Sequence, residues 1–345
     1  MRKAVWLSTA AVLAALLATE VATAQGGRDT VTFKDGSPQW MQVTVKETYK
    51  SVEAEGKESK HPTVVENITH GDQPPAYVAA TGSLRRGDYE KALEKFQEAS
   101  KAEARPWLKH YCTYYMAFCR QKLADNTDAL AKAIAIYEEV PKTDKHGIKV
   151  PEAKFGIGQC FYQAKQLDKA QKIFEEIAKS DYGEFWQLKG KLWQGKVLLD
   201  QGKGKEAASA FDEIQKIAKG KMPEIYFEAN LNRAAGLILE TPTDTSQARD
   251  LLQKVFEEAQ DDEVKAAAHN GLGDAYRAEK RIKEARIEYL RVVVLYFNCP
   301  EEHARALFNV ADCFEQLKDA ATARRFRSIL TQEHPDSVWR KRLGA

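Results

Sequence analysis

Seven histidines, at positions 61, 70, 110, 146, 269, 303 and 334, are the first residues to weigh for chemistry. No two stand three or four residues apart, the spacing that presents two imidazoles to a metal ion on one helical face, so no metal site is expected and each reads as a surface residue. His61 and His70 also lack cysteine or carboxylate partners at ligand spacing. Carboxylate pairs occur at Glu138-Glu139, Glu175-Glu176 and Asp261-Asp262, but acid–base catalysis needs acids that converge in a cleft. Here they sit beside lysines at helix ends, where solvation accounts for them. There is no Gly-rich phosphate loop after a strand, no Gly-x-Ser-x-Gly elbow and no His-Glu-x-x-His. The chain is therefore expected to be no enzyme and to need no cofactor.

Five cysteines invite a disulfide reading. Cys160 and Cys313 stand near the small residues Gly158 and Ala311 at inward helix positions, and read as small core residues. Cys112 and Cys119 lie seven apart on one face, about 10 Å along a helix, too far for a bond. Buried free thiols are the favoured reading, and a Cys119–Cys160 bond across neighbouring helices stays open. Trp186 and Trp193, also seven apart, read as inter-repeat packing or as an aromatic anchor for a peptide or glycan.

The chain that must position these residues is 345 long, 43% apolar and nearly neutral, with 52 Lys and Arg against 50 Asp and Glu. That balance argues against a nucleic-acid partner, and the apolar share is enough for a continuous core. Arg2 and Lys3 precede an apolar stretch from Ala4 to Leu17, and Ala22-Thr23-Ala24 supplies small residues for a signal peptidase. The pattern predicts a leader over residues 1–24 cleaved before Gln25, an exported, periplasmic or secreted protein, and no membrane span in the mature chain. Residues 30–72 read as a small β module, a miniature meander or barrel. Val31 and Phe33 lead into the turn Lys34-Asp35-Gly36-Ser37, Met41, Val43 and Val45 alternate again, and Val64, Val65 and Ile68 form a last strand. Such a module is too small to stand without packing on the remainder of the chain.

From residue 76 the pattern turns helical and repeats. Ala92, Ala133, Ala170, Ala207, Ala248, Ala285 and Ala323 recur every 37 to 41 residues. Four residues after each stand Phe96, Tyr137, Phe174, Phe211, Leu252, Tyr289 and, breaking the series, Arg327. Twelve residues before them come Ala80, Gly158, Gly195, Gly236, Gly273 and Ala311, and nine before come large residues such as Phe161, Leu198 and Tyr276. The small residue would let a neighbouring helix approach and the large one would fill the gap.

These residues resemble the tetratricopeptide repeats. Gly87-Asp88-Tyr89-Glu90-Lys91-Ala92-Leu93 is very close to the family's turn and second-helix signature, and Gly271-Leu272-Gly273-Asp274-Ala275-Tyr276 is close to its first-helix signature. The resemblance covers residues 76–340 and implies a mainly α fold, a right-handed superhelix of about seven helix pairs behind the β module. It departs from the family in repeats longer than 34 residues, an insertion around Asp125-Asn126-Thr127, and an atypical last repeat at Arg327. The resemblance implies a concave face lined by first helices that binds a peptide or protein segment. Projected onto that face are Gln159, Tyr162, Lys196, Arg233, Asn270, Asp274 and Arg277. Relatives that grip a terminal carboxylate use a lysine and asparagine clamp, which Arg233 with Asn270 echoes. The alternative is a structural envelope component that self-associates or binds cell-wall polymer.

Overall fold

The computed structural model describes residues 29–34, 36–102 and 106–344. The expected leader and its cleavage before Gln25 lie outside the described residues. Five short strands come first: β1 (Asp29–Phe33), β2 (Trp40–Val43), β3 (Val45–Glu47), β4 (Val52–Ala54) and β5 (Val65–Thr69). β1 is central and antiparallel to both neighbours in the order β2-β1-β5, with Val31 opposite Trp40 and Ile68. β3 and β4 form a separate hairpin. The alternation seen in sequence is what buries Val31 and Phe33, which join Trp40, Val52, Val65 and Ile68 in a small core.

Sixteen helical segments come after the strands among the described residues: α1 (Pro75–Arg85), α2 (Tyr89–Ala99), α3 (Trp107–Leu123), α4 (Thr127–Tyr137), the short α5 (Val140–Thr143), α6 (Val150–Gln163), α7 (Leu167–Ala178), α8 (Glu184–Asp200), α9 (Gly204–Ala218), α10 (Pro223–Glu240), α11 (Ser246–Glu258), α12 (Asp262–Ala278), α13 (Ile282–Leu295), α14 (Pro300–Gln316), α15 (Ala320–Glu333) and α16 (Val338–Lys341). Taken in order they make seven pairs, α1/α2 through α14/α15, a solenoid fold in which α5 is the extra piece of the irregular second pair. Asn126, inside the expected insertion, caps α4 by accepting from the Ala129 N–H.

The recurring alanines sit in the second helix of each pair with their side chains fully buried. In five of the seven pairs the residue four later is a ring that fills the pair: Phe96, Tyr137, Phe174, Phe211 and Tyr289 are all at most 1% exposed. A Cβ added at Gly158 or Gly195 would stand 2.5 or 2.6 Å from the Phe174 or Phe211 ring, and one at Gly273 would collide with Tyr289. At Gly158, Gly195 and Gly273 the gap is therefore filled from the second helix of the same pair, which corrects the expectation that a large residue on the first helix fills it, whereas Gly236 lets Gly204 and Ala208 of α9 approach. At the equivalent place in the second pair stands Gln121, and its amide oxygen accepts from the Tyr137 hydroxyl at 2.8 Å. Gln121 thus meets the ring's polar end where the other pairs give it room.

The described residues group into two compact units, 29–194 and 195–344. The first has cores around Phe96, Trp107 and Tyr111, around Tyr137 and Ala153, and in the β strands. The second has cores around Leu252, around Tyr289 and Val292, and around Leu307 and Leu330. All five cysteines are buried free thiols. Burial pushes Cys112, Cys119 and Cys160 up to about 12. Among the described residues no helix is long and apolar enough to cross a membrane.

Candidate functional site

Within residues 195–344, charged and polar side chains on the first helices link α8 to α10 and α12 to α14. Lys196, near the end of α8, pairs with Glu228 of α10. Arg233 of α10 holds Asp212 of α9 at 3.0 Å. Asn270 of α12 donates to the Glu302 carboxylate at 2.7 Å and to its backbone carbonyl at 3.0 Å. Asp274 is the centre of the set: it accepts from the Tyr289 hydroxyl at 2.6 Å, from Arg277 at 3.3 Å and from Arg305 of α14. Arg277 also donates to Asn309 at 3.0 Å.

Electrostatics hold Arg277, Arg305 and Asp212 in their charged forms. Burial works against the Arg277 cation, but Tyr289, Asp274 and Asp312 outweigh it and raise its pKa. Arg305 behaves alike, with Asp274 and Glu302 offsetting burial. Asp212 lies below the usual carboxylate range, first through its hydrogen bond to Lys216 and then through Arg233. Two guanidiniums and a phenol converging on one carboxylate form a rigid network with charge-assisted bonds. It contains no nucleophile–base pair.

Six of the seven projected residues are half-buried, leaving part of each side chain for a partner: Gln159, Tyr162, Lys196, Arg233, Asp274 and Arg277. Asn270 is fully buried. Its amide ties two helices together, which corrects its expected place on an open face and removes the Arg233 and Asn270 clamp. Phe155 and Leu192 are likewise buried. Sequence reasoning missed Glu228, Asp212, Glu302 and Arg305. For Glu228 and Arg305 the signal was present, as opposite charges 32 and 31 residues apart on successive first helices. That separation is shorter than the alanine repeat, so the links slant toward the N-terminal half of the next helix.

In residues 29–194, Tyr162 meets the Trp193 ring edge-on at 5.5 Å, and Trp193 also packs on Phe155 and Phe174 at 5.3 Å each. Trp186 contacts Phe155 at 5.8 Å. The two tryptophans thus pack between pairs. Lys189, buried beside them, places Nζ 5.2 Å from the Phe155 and Phe185 rings. Four of the seven histidines, His70, His110, His269 and His303, are buried. Their burial overturns the surface reading.

Comparison with known proteins bears on the repeats. Models described as tetratricopeptide repeat match residues 127–192, 234–302 and 305–337. No curated protein matches the sequence. Among solved structures, a tetratricopeptide repeat protein from Parabacteroides merdae is similar at 12% identity and TM-score 0.54, over 75% of this chain and 92% of that one. The apo quorum sensor NprR from B. thuringiensis aligns at 15% identity and TM-score 0.57, over 74% of each chain. A Rap protein complexed with competence and sporulation factor aligns at 14% and 0.54, over 76% of each. At such identities the likeness concerns the fold alone. With helix pairs and buried alanines recurring along the chain and three such models matching it, the chain is a tetratricopeptide repeat protein with a small β-sheet region ahead of its repeats.

Proposed function

We propose that this protein is a non-catalytic scaffold whose first-helix face binds a peptide or protein segment, and that it is exported to the periplasm or secreted. The single observation that carries the reading is the set of half-exposed cations on residues 195–344. Arg233 and Arg277 are each held in place by a carboxylate while about a third of their side-chain surface stays open. Side chains already ordered lose little freedom when a partner's carboxylates or carbonyls arrive. The Rap structure, described in complex with a competence and sporulation factor, supports the use of this fold to hold a partner. The β module, taken as residues 30–72, caps the first pairs of the repeats at 76–340.

The test is selection of peptides from a displayed library on the purified protein, followed by fluorescence polarisation. Selected peptides should bind Arg233→Ala/Arg277→Ala roughly tenfold or more weakly, as loss of two charged hydrogen-bonding partners implies. If no peptide is selected, or the double variant binds equally well, the first-helix reading fails. Export is checked separately by N-terminal sequencing, which should begin at Gln25.

A second reading, self-association as a structural envelope component, is favoured by one feature. Ile287, Val294 and Leu295 of α13 and the following Phe297 are exposed, Phe297 at 70%. Apolar side chains gathered in this way are uncommon on a solitary soluble chain. Light scattering behind size exclusion decides it: self-association would give a mass that rises with concentration and falls in Phe297→Ser.

A further inference from the structure

The end of the chain brings together residues that stand 30 and 31 positions apart. His303 lies in the first turn of α14, Glu333 is the last residue of α15, and His334 is its C-cap. His303 Nδ1 and His334 Nε2 face one another at 2.8 Å, and the nearer Glu333 carboxylate oxygen is 3.9 Å from His303 Nδ1. One ligand atom from each residue lies within 4.8 Å of the other two. From this juxtaposition we infer that His303, His334 and Glu333 form a binding site for a divalent transition-metal ion, Zn²⁺ by its donor set, which clamps α14 to the end of α15.

Three features of the geometry favour this over a chance meeting of side chains. First, two imidazole nitrogens and one carboxylate oxygen are a recurrent tetrahedral zinc donor set, with bonds of about 2.0–2.2 Å and donors therefore about 3.3 Å apart. The observed separations bracket that figure. The rings need to open by roughly half an ångström and the carboxylate to close by about the same amount. Second, the ligand that must move is the exposed one: His303 is buried, whereas Glu333, the last residue of α15, has 57% of its side chain exposed. Third, the rings are inclined by 69° with centroids 5.0 Å apart, so they do not stack face to face.

Glu333 is exposed, which leaves a fourth position to water. The site closes the last pair, where Leu307 of α14 packs on Leu330 of α15. A bound ion would therefore hold the end of the repeat array closed.

The test uses the full chain, purified without a histidine tag and stripped with chelator, titrated with ZnCl₂ by calorimetry and by thermal melting. The expected result is one equivalent bound in the micromolar range with a rise in Tm, and no such rise with MgCl₂. Because His303 is buried, His334→Ala and Glu333→Gln are the deciding variants, each checked for native helicity by circular dichroism. His334→Ala should abolish the Tm rise, and Glu333→Gln should weaken binding by roughly tenfold. The inference is overturned by the absence of saturable zinc binding, or by binding that His334→Ala leaves intact.

Discussion

His70 shows what a single residue does when distant segments bury it. The ring is 3% exposed and stacks on Trp107 of α3 at 4.0 Å. Asp29 of β1 lies 3.5 Å from Nδ1, Glu47 of β3 lies 3.4 Å from Nε2, and the Tyr111 hydroxyl donates to Glu47 at 2.9 Å. Behind the stack, Asp72 accepts from the Trp107 indole N–H at 3.0 Å. Both nitrogen contacts are long for hydrogen bonds, so attraction between charges is the main interaction. Burial is the largest single influence and favours the neutral ring, but the two carboxylates together outweigh it, and the pKa is raised. A histidine raised in the fold contributes stability in full below its unfolded value of about 6.5, and that stability is lost as pH rises through the folded value. The β strands should thus be held more firmly on α3 at pH 6 than at pH 9. An NMR titration of His70 should give an apparent pKa above 6.5, and a value below it would remove the argument. His70→Gln should flatten the pH dependence of amide exchange in β1 and β5. It should also cost about 3 kcal/mol, because two buried carboxylates lose their counter-charge.

At the scale of elements, the turns between paired helices follow one rule. Five residues before the recurring alanine the backbone is left-handed, at Gly87 (φ 75°), Lys165 (58°), Gly202 (77°), Lys280 (63°) and Lys318 (64°). Glycine takes this conformation without strain and lysine does not. Lys280→Gly and Lys318→Gly are each expected to raise stability by about 0.5–1 kcal/mol, net of the entropy glycine adds to the unfolded chain. Urea titration would show it as a higher midpoint at unchanged slope, and a lower midpoint would mean that the lysines are not strained. This register was legible in the sequence, because Gly87 and Gly202 stand at the same distance from Ala92 and Ala207. The filling of each pair was legible only by half: Gly158 and Phe174 were both singled out, but sequence spacing does not show that residues 16 apart meet across a turn. Asn270 was misplaced for a related reason. Helical projection gives the direction of a side chain, whereas its burial depends on Glu302 in the next first helix.

For the whole molecule, periodicity is why so much of the fold could be read and also why the site could not. Each pair repeats one packing solution, so Ala170, Ala207 and Ala285 report the same environment and reinforce one another. The links through Asp274, Arg305 and Glu302, and the meeting of His303 with His334, each occur once and depend on complementary partners in separate helices. The same architecture governs how damage spreads. In a repeat array each pair contacts its neighbours, and stability approximates a sum of local terms. Tyr289 tests this: its ring is fully buried against Gly273, and its hydroxyl donates to Asp274. Tyr289→Ala removes the ring and one donor to the carboxylate that joins α12 to α14, at an expected cost of about 3–5 kcal/mol. Hydrogen exchange should then quicken in α12, α13 and α14 while α9 and α10 keep their protection. Equal loss across every helix of residues 195–344 would instead mean that this unit opens as one cooperative body, with the polar links carrying strain further than nearest-neighbour packing does.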